Sequence, residues 1–429
     1  MIPICDLDLG FRDAESYKGR KNRERFNRLF VPNKALDRLC DQSVYFSVGE
    51  KGTGKTAEAV YMSNNDYKNH RSSIRYIRET DYQKFVQIKR EKNVNLSDYT
   101  NVWKVILYLL ISRDIKERET RIPLLDGLLK FRQLNSAIDE YYEHAFSPEI
   151  LYAIQFADEA KAAAELIAKY AGVEGKVSGE QSSTTKFAES RYQTNLLFIQ
   201  KAFENALGSL NLSQNHVLFI DGIDIRPSPI EYEHYLECVK GLANAVWSIN
   251  SDFFSNIRDS RGRLRVVLLI RPDIFDKLGL QNLNSKIHDN AALQNWDTTY
   301  QSYRRSDLFQ IADRMLASQQ EGPLLPGAAW DHYFPYNTTN VVSQQLEASS
   351  FIAFLRYSLY RPRDILTILA IQKENFVEQG RARDSVFSEE DFRDPSFTRK
   401  YADYVLGEVK DQISFYYSPE EYAVFLKFL

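Results

Sequence analysis

The chain has 429 residues, a length that predicts at least two domains. With 44% hydrophobic and 26% charged residues, the composition is typical of a globular protein. The net charge of -3 excludes a globally basic protein that attracts nucleic acid through its overall electrostatic field. The three cysteines lack metal-ligand spacing and no apolar run approaches about 18 residues, so we expect a cytoplasmic protein without disulfides or a transmembrane helix.

The first 40 residues are polar and are predicted to form a lead-in arm, residues 1–40. Within the arm, the segment from Lys18 to Arg28 carries six basic residues and one acid. A solvated helix face or a mobile arm accounts for such a run, and a contact with phosphates or an acidic partner is the alternative. The apolar residues from Phe26 to Val31 are expected to dock on the core.

Short apolar runs alternate with helical patterns over residues 41–300. Runs at 43–48, 73–78, 217–220 and 265–270 predict β-strands. Apart from Arg265 at its start, the last run is continuously apolar, as is the run at 217–220, which is expected for the centre of a parallel sheet that is covered on both faces. The order strand, helix, strand, helix predicts an α/β sandwich, which we assign to a domain at 41–300.

Helical patterns dominate the rest of the chain. A helical insertion is predicted at about 113–192, between the second and third strands. No convincing buried strand follows Trp296, which we expect to anchor the core rather than to stack on a base. A helical lid domain is therefore predicted at 301–380 and a helical C-terminal segment at 381–429. The apolar run at 422–429 resembles the first helix of a winged-helix module, and an end that docks onto a partner is the alternative.

The most specific motif is G-x-x-x-x-G-K-[ST], which follows the first predicted strand and precedes a predicted helix. Its glycines allow backbone N–H groups and the helix N-terminus to form a positive nest for phosphate. The lysine is expected to reach the β- and γ-phosphates, and the final threonine to bind Mg²⁺. A glycine turn with an incidental lysine is the alternative. The predicted nucleotide-binding residues here are Gly49, Glu50, Lys51, Gly52, Thr53, Gly54, Lys55, Thr56 and Ala57.

Two acids follow the third predicted strand. Asp221 ends the buried run and is expected to hold Mg²⁺ through its water shell. Asp224, three residues later, is expected to orient or deprotonate the attacking water. A strand that leads into an aspartate turn is a common pattern, and for Asp224 the alternative is a cap on the next turn.

Arginines are candidates for contacts with the nucleotide. Arg271 follows the fourth predicted strand, where it would sense the γ-phosphate or stabilise charge in the transition state. Arg361 and Arg363 open a predicted helix in the lid, from which either would reach the nucleotide. The alternatives are a surface arginine after a strand and surface pairs with Asp364 or Glu374.

Together, the loop at 49–56, the Asp221-Gly222-Ile223-Asp224 turn and Ile270-Arg271 resemble the STAND and KAP-like P-loop ATPases, which are related to AAA+ proteins. The turn resembles that of NACHT-type members. The resemblance covers most of the chain. It implies a P-loop NTPase three-layer sandwich with parallel strands in the order 5-1-4-3-2, a helical lid and a nucleotide-dependent switch. NACHT-type turns usually carry another acid where this chain has Ile225, which predicts slow hydrolysis without a partner.

We therefore expect an ATPase with ATP and Mg²⁺ as cofactors that acts as a conformational or assembly switch. The resemblance implies a homo-oligomer or protein partner, and a role in bacterial defence or stress signalling. A nucleotide-gated scaffold that does not hydrolyse ATP is one alternative, motivated by Ile225. A nucleic-acid-coupled ATPase is another, supported by the basic runs at 18–28 and 258–265. A small-molecule kinase fits the helical C-terminal half less well.

Overall fold

A computed structural model of the chain describes most of the residues outside the middle of the sequence. The described residues are 1–77, 96–119, 131–144, 197–224, 226, 230–258, 260–280, 282–338, 349–383 and 385–427. The predicted insertion at 113–192 lies mostly outside this range, as does Ile225.

The strands of the described residues form one parallel sheet. They are β1 Phe46–Val48, β2 His70–Tyr76, β3 Asn215–Asp221, β4 Leu264–Ile270 and β5 Ala291–Leu293. Their spatial order is β2-β3-β4-β1-β5. Phe219 of β3 lies opposite Val267 of β4, and Ser47 of β1 opposite Leu269, so the carboxyl ends of these strands meet at one edge. The predicted α/β class with a parallel sheet is confirmed.

Helices cover both faces of this sheet and give three layers. The helices of this part are α1 Arg20–Leu29, α2 Lys34–Arg38, α3 Lys55–Asn65, α4 Leu96–Glu119, α5 Arg132–His144, α6 197–208, α7 Tyr232–Ser248, α8 Pro272–Lys277 and α9 Leu283–Asn290. Side chains alternate along β3. Leu218 packs in the core with Trp103 of α4 and Leu242 of α7, whereas Val217 packs on the opposite face with Met62 of α3.

The strands differ from the sequence prediction at three points. β1 covers only the second half of the predicted run at 43–48, because the preceding residues form a turn closed by a hydrogen bond from the N–H of Val44 to the carbonyl oxygen of Asp41. β2 begins three residues earlier than the predicted run at 73–78, because Lys68 and Asn69 adopt left-handed backbone conformations that end the preceding turn just before His70. β5 was not predicted at all. It has only three residues, Ala291 to Leu293, and its pairing with β1 rather than its own sequence makes it a strand.

A second apolar core lies in the helical part of the chain. Its helices are α10 Asp307–Ala317, α11 Ala328–Tyr333, α12 Phe351–Tyr357, α13 Pro362–Glu378, α14 Pro395–Tyr416 and α15 Pro419–Phe425. Trp330 stacks on Phe334 with ring centroids 4.3 Å apart, and Phe351 packs edge-on against Trp330. Ile4 and Leu7 join this core. The first residues of the chain therefore pack on the helical part.

Helix α14 connects the two cores. Its start is capped by the Asp394 side chain, which accepts from the N–H groups of Ser396 and Phe397. Phe397 belongs to the helical core, whereas Phe415 near the end of the helix belongs to the core that covers the sheet. Within the described part of the chain, none of the helices is both long enough and apolar enough to cross a membrane.

Candidate functional site

Residues 49–54 form the glycine loop between β1 and α3. Gly52 and Gly54 have φ angles of 84° and 99°, in the left-handed region that glycine adopts without strain. A Cβ on Gly49 would lie 2.5 Å from the Cβ of Gln294, so this position also needs glycine. Helix α3 begins at Lys55, which places the positive end of its dipole beside the loop. The loop is therefore a nest suited to an anion.

The amine of Lys55 lies within the loop. Its Nζ donates to the carbonyl oxygens of Gly49 at 2.6 Å and Glu50 at 3.1 Å, and lies 3.9 Å from the carboxylate of Asp224. The side chain is only 6% exposed, so polar protein groups replace water around its charge. A phosphate in the loop would offer the amine a charged and therefore stronger partner.

Thr56 and Asp221 meet at the carboxyl edge of the sheet. Thr56 Oγ1 donates to Asp221 Oδ2 at 2.6 Å, and the N–H of Gly222 donates to Oδ1 at 2.7 Å. Burial raises the pKa of Asp221, and the hydrogen bond from Thr56 opposes that shift. A divalent cation such as Mg²⁺ prefers oxygen ligands and would balance the negative charge of this buried carboxylate. The two side chains therefore fit a magnesium site.

Asp224 lies on the turn after β3. Its side chain is 21% exposed, and its Oδ1 atom is buried and accepts no hydrogen bond from the described residues. Gly222 shapes the turn with a φ of 91°, and a Cβ there would lie 2.4 Å from the carbonyl oxygen of Ile77. The turn thus places a second acid near Lys55 with a free acceptor oxygen, as the orientation of a water molecule requires.

A cavity of about 170 Å³ opens beside the glycine loop. Its polar end carries Lys51, Lys55, Thr56, Asp224 and Arg363. The rest of its lining is mostly apolar and comes from the helical part and from the N-terminal residues, among which Arg12 and Asp13 are charged. Such a cavity can take a ligand that is anionic at one end and flat and apolar at the other. The apolar wall consists of Phe11, Leu29, Phe30, Val31, Trp296, Ile311, Met315 and Leu366.

The N-terminal segment contributes to this cavity, which the sequence analysis did not predict. Phe26 stacks on Tyr17 with ring centroids 4.7 Å apart, and Phe30 stacks on Tyr61 of α3 at 4.2 Å. The apolar side of α1 thus packs on the core, as its sequence predicts, and several of its basic residues remain exposed. The four-residue spacing of Phe26 and Phe30 is the signal that places one face of α1 against α3.

Arg271 follows β4 but its guanidinium is engaged away from the cavity. It pairs with Asp273, with Nε 3.0 Å from Oδ1, and its centre lies 5.3 Å from the ring centroid of Phe415. Burial lowers the pKa of Arg271, but Asp273 and, at longer range, Asp224 raise it above its usual value. Arg271 is therefore close to the site without lining the described cavity.

Arg361 and Arg363 lie at the start of α13, over the glycine loop. Arg361 donates to the carbonyl oxygen of Lys51 at 2.9 Å and pairs with the buried Asp364 at 2.7 Å. The backbone N–H of Arg363 donates to Gly52 at 3.3 Å, and its side chain lines the cavity. Arg363 thus faces the site. Arg361 instead pairs with Asp364, as the alternative prediction had it, but this pair is buried rather than on the surface.

Three side chains that sequence reasoning did not assign to the site support the loop. Trp296 is 9% exposed, as expected of a core anchor, and its Nε1 donates to the carbonyl oxygen of Thr53 at 2.8 Å. Gln294 donates to Glu58 behind the loop. Burial raises the pKa of Glu58 to about 8, against the opposing effects of Gln294 and Lys55. These contacts depend on tertiary packing, and no local sequence pattern signals them.

The structure brings together the loop of residues 49–57, Asp221, Asp224 and Arg363, and it leaves Arg271 paired with Asp273. No protein-family model, curated protein or solved structure was found to match this chain. The geometry of the site itself is therefore what bears on the function.

Proposed function

We propose that the protein binds and hydrolyses ATP with Mg²⁺ and uses the cycle to switch its conformation or assembly. The observation that carries this proposal is the 2.6 Å contact between Thr56 at the glycine loop and Asp221 at the end of β3. A loop lysine, a loop hydroxyl and a strand-end carboxylate around one anion nest are the parts that P-loop NTPases use.

The sheet topology supports the same proposal. Counted from β5, the strands follow the order 5-1-4-3-2. This is the order that the resemblance to STAND and KAP-like ATPases implies. In it β4 separates β1 from β3, so that Arg271 lies between the glycine loop and the turn that carries Asp224.

Each residue has a distinct task in this proposal. Lys55 exchanges the carbonyl oxygens of Gly49 and Glu50 for phosphate oxygens, and the loop N–H groups bind the same phosphates. Thr56 and Asp221 hold Mg²⁺, which neutralises charge on the phosphates when it is bound. Asp224 orients the attacking water and accepts its proton. The apolar end of the cavity takes the base.

A binding titration with Mg-ATP tests the first half of this proposal. We expect Lys55→Ala to lower the affinity by roughly two orders of magnitude, because a buried charged contact to phosphate is lost. Lys277→Ala, an exposed lysine on α8, is the matched control and should bind as the wild type does. Equal affinity in wild type and Lys55→Ala would contradict the proposal.

A nucleotide-gated scaffold without turnover is a second candidate. It is favoured by the pairing of Arg271 with Asp273, since this arrangement provides no arginine from β4 to stabilise charge in the transition state. The two candidates differ in one result. A scaffold binds Mg-ATP and shows no turnover by the wild-type chain, whereas an ATPase shows turnover that Asp224→Asn removes.

A further inference from the structure

Helix α14 carries two acids that pair with the cations beside the glycine loop. Glu408 lies 3.3 Å from the amine of Lys51 and 3.4 Å from the guanidinium groups of both Arg361 and Arg363. Asp411, nearly one helical turn later, also pairs with Lys51. Lys51 and Arg363 line the polar end of the cavity. Two of the cations that line the cavity, Lys51 and Arg363, are therefore already paired with acids of one helix.

The end of the same helix contacts the strand-end segments of the site. Arg226, on the turn that follows the second acid, donates through Nε to the carbonyl oxygen of Phe415 at 2.6 Å. The hydroxyl of Tyr416 donates to Asp273, the partner of Arg271. The ring of Phe415 covers Arg271. Helix α14 thus contacts the loop, the lid arginines and both strand-end turns.

We propose that α14 is a latch, in which Glu408 and Asp411 compete with the phosphates of ATP for the same cations, so that nucleotide binding releases the helix. This inference rests on the proposed function, because it concerns how nucleotide binding at the same site is regulated. A cation such as Lys51 or Arg363 that pairs with phosphate loses its pairing with the acids. Glu408 is only 15% exposed, so water would screen its repulsion from the added phosphates poorly.

Release of the latch also changes the other end of the helix. When Phe415 and Tyr416 leave, Arg271 loses its ring contact and Asp273 loses a hydrogen-bond donor. Among the described residues, Asp273 then remains as the hydrogen-bond partner of Arg271, which is freer to turn toward the second acid. The release of the acids from Lys51 and Arg363 and the release of Arg271 are therefore coupled, because one rigid helix, α14, makes both sets of contacts.

The paired substitution Glu408→Gln with Asp411→Asn tests the latch, because it removes the competing charges and keeps the side-chain shapes. Asp403→Asn, at an exposed position on the same helix, is the matched control. We expect the paired variant to bind Mg-ATP roughly tenfold more tightly than the wild type, and Asp403→Asn to bind equally. In the wild type, Mg-ATP should speed hydrogen exchange over residues 405–416, and the paired variant should exchange fast without it.

Two results would overturn the latch: equal ATP affinity in the paired variant and the wild type, or exchange over residues 405–416 that ATP leaves unchanged. Absence of ATP binding in every variant, with Lys55→Ala as the reference, would contradict the proposed function instead. Asp411 is 60% exposed, so Asp411→Asn alone should fold even if the pair does not, and should show a smaller gain in the same direction.

Discussion

At the scale of single residues, the site depends on polar groups that neighbouring backbone holds in place. Lys55 is bound by the carbonyl oxygens of Gly49 and Glu50, and Thr56 by Asp221. These groups therefore need little rearrangement when a phosphate or a cation replaces their present partners. Such preorganisation lowers the entropic cost of binding.

The left-handed backbone of the loop makes Gly52 sensitive to substitution. In Gly52→Ala, the added Cβ meets a φ of 84° and lies 3.0 Å from the Cβ of Arg363. We expect folding to weaken by about 1–2 kcal/mol and ATP affinity to fall as the loop shifts. Denaturant unfolding and an ATP titration measure the two effects. Gly19→Ala is the control because none of the described residues beyond its chain neighbours lies within 4 Å of the added Cβ, and equal losses in both variants would argue against strain in the loop.

The residues of the site differ in how far the sequence predicts them. Lys55, Thr56 and Asp221 were predicted because a motif and a strand end are local patterns, and the structure brings the last two together across 165 positions. Glu408 was not predicted for the site, since its contact with Lys51 depends on how a distant helix packs. Arg271 was predicted to face the γ-phosphate and is instead paired with Asp273, a neighbour whose effect the strand pattern did not reveal.

At the scale of elements, the apolar strands were easier to predict than the pieces that pack around the site. β3 and β4 contain continuous apolar runs at 217–220 and 266–270, which is the pattern of strands covered on both faces. β5 is too short to carry a pattern, and α1 combines a strongly basic sequence with one buried aromatic face. Their positions follow from tertiary pairing rather than from local preference.

The stability of the C-terminal end of α14 should depend on Arg226. Its guanidinium donates to the carbonyl oxygens of Phe415 at 2.6 Å and Tyr417 at 3.1 Å, groups that the end of a helix leaves without partners. We expect Arg226→Ala to lower the free energy of unfolding by about 1–3 kcal/mol and to speed hydrogen exchange at residues 413–417. Arg399→Ala removes an exposed arginine of the same helix and serves as control. Unchanged exchange in Arg226→Ala would show that the contacts are dispensable.

At the scale of the whole molecule, the cavity lies where the two apolar cores approach each other. Thr56 and Ala57 line it from the α/β part, whereas Ile311 and Leu366 line it from the helical part. Helix α14 joins the same two cores. A ligand in this cavity contacts both parts and should therefore stabilise them together.

Thermal unfolding with Mg-ATP checks this coupling. At a concentration of about 100 times Kd, a ligand that binds only the folded state adds about 2.7 kcal/mol, so the midpoint should rise by a few degrees. Trp103 and Trp330 belong to the two cores, and the unfolding midpoints that hydrogen exchange reports for the segments carrying them should shift equally. Removal of Mg²⁺ with EDTA should reduce the shift, because Thr56 and Asp221 then lack their cation. A shift confined to one core would contradict the shared cavity.

Steady-state turnover of Mg-ATP, with ATP binding titrated on the same preparations, tests the proposed ATPase most directly. We predict slow turnover by the wild type, and a fall of roughly a hundredfold or more in Asp224→Asn with binding retained, because the group that orients the water is lost while the loop remains. Equal turnover in wild type and Asp224→Asn, or none in a wild type saturated with Mg-ATP, would contradict the assignment of this site to hydrolysis.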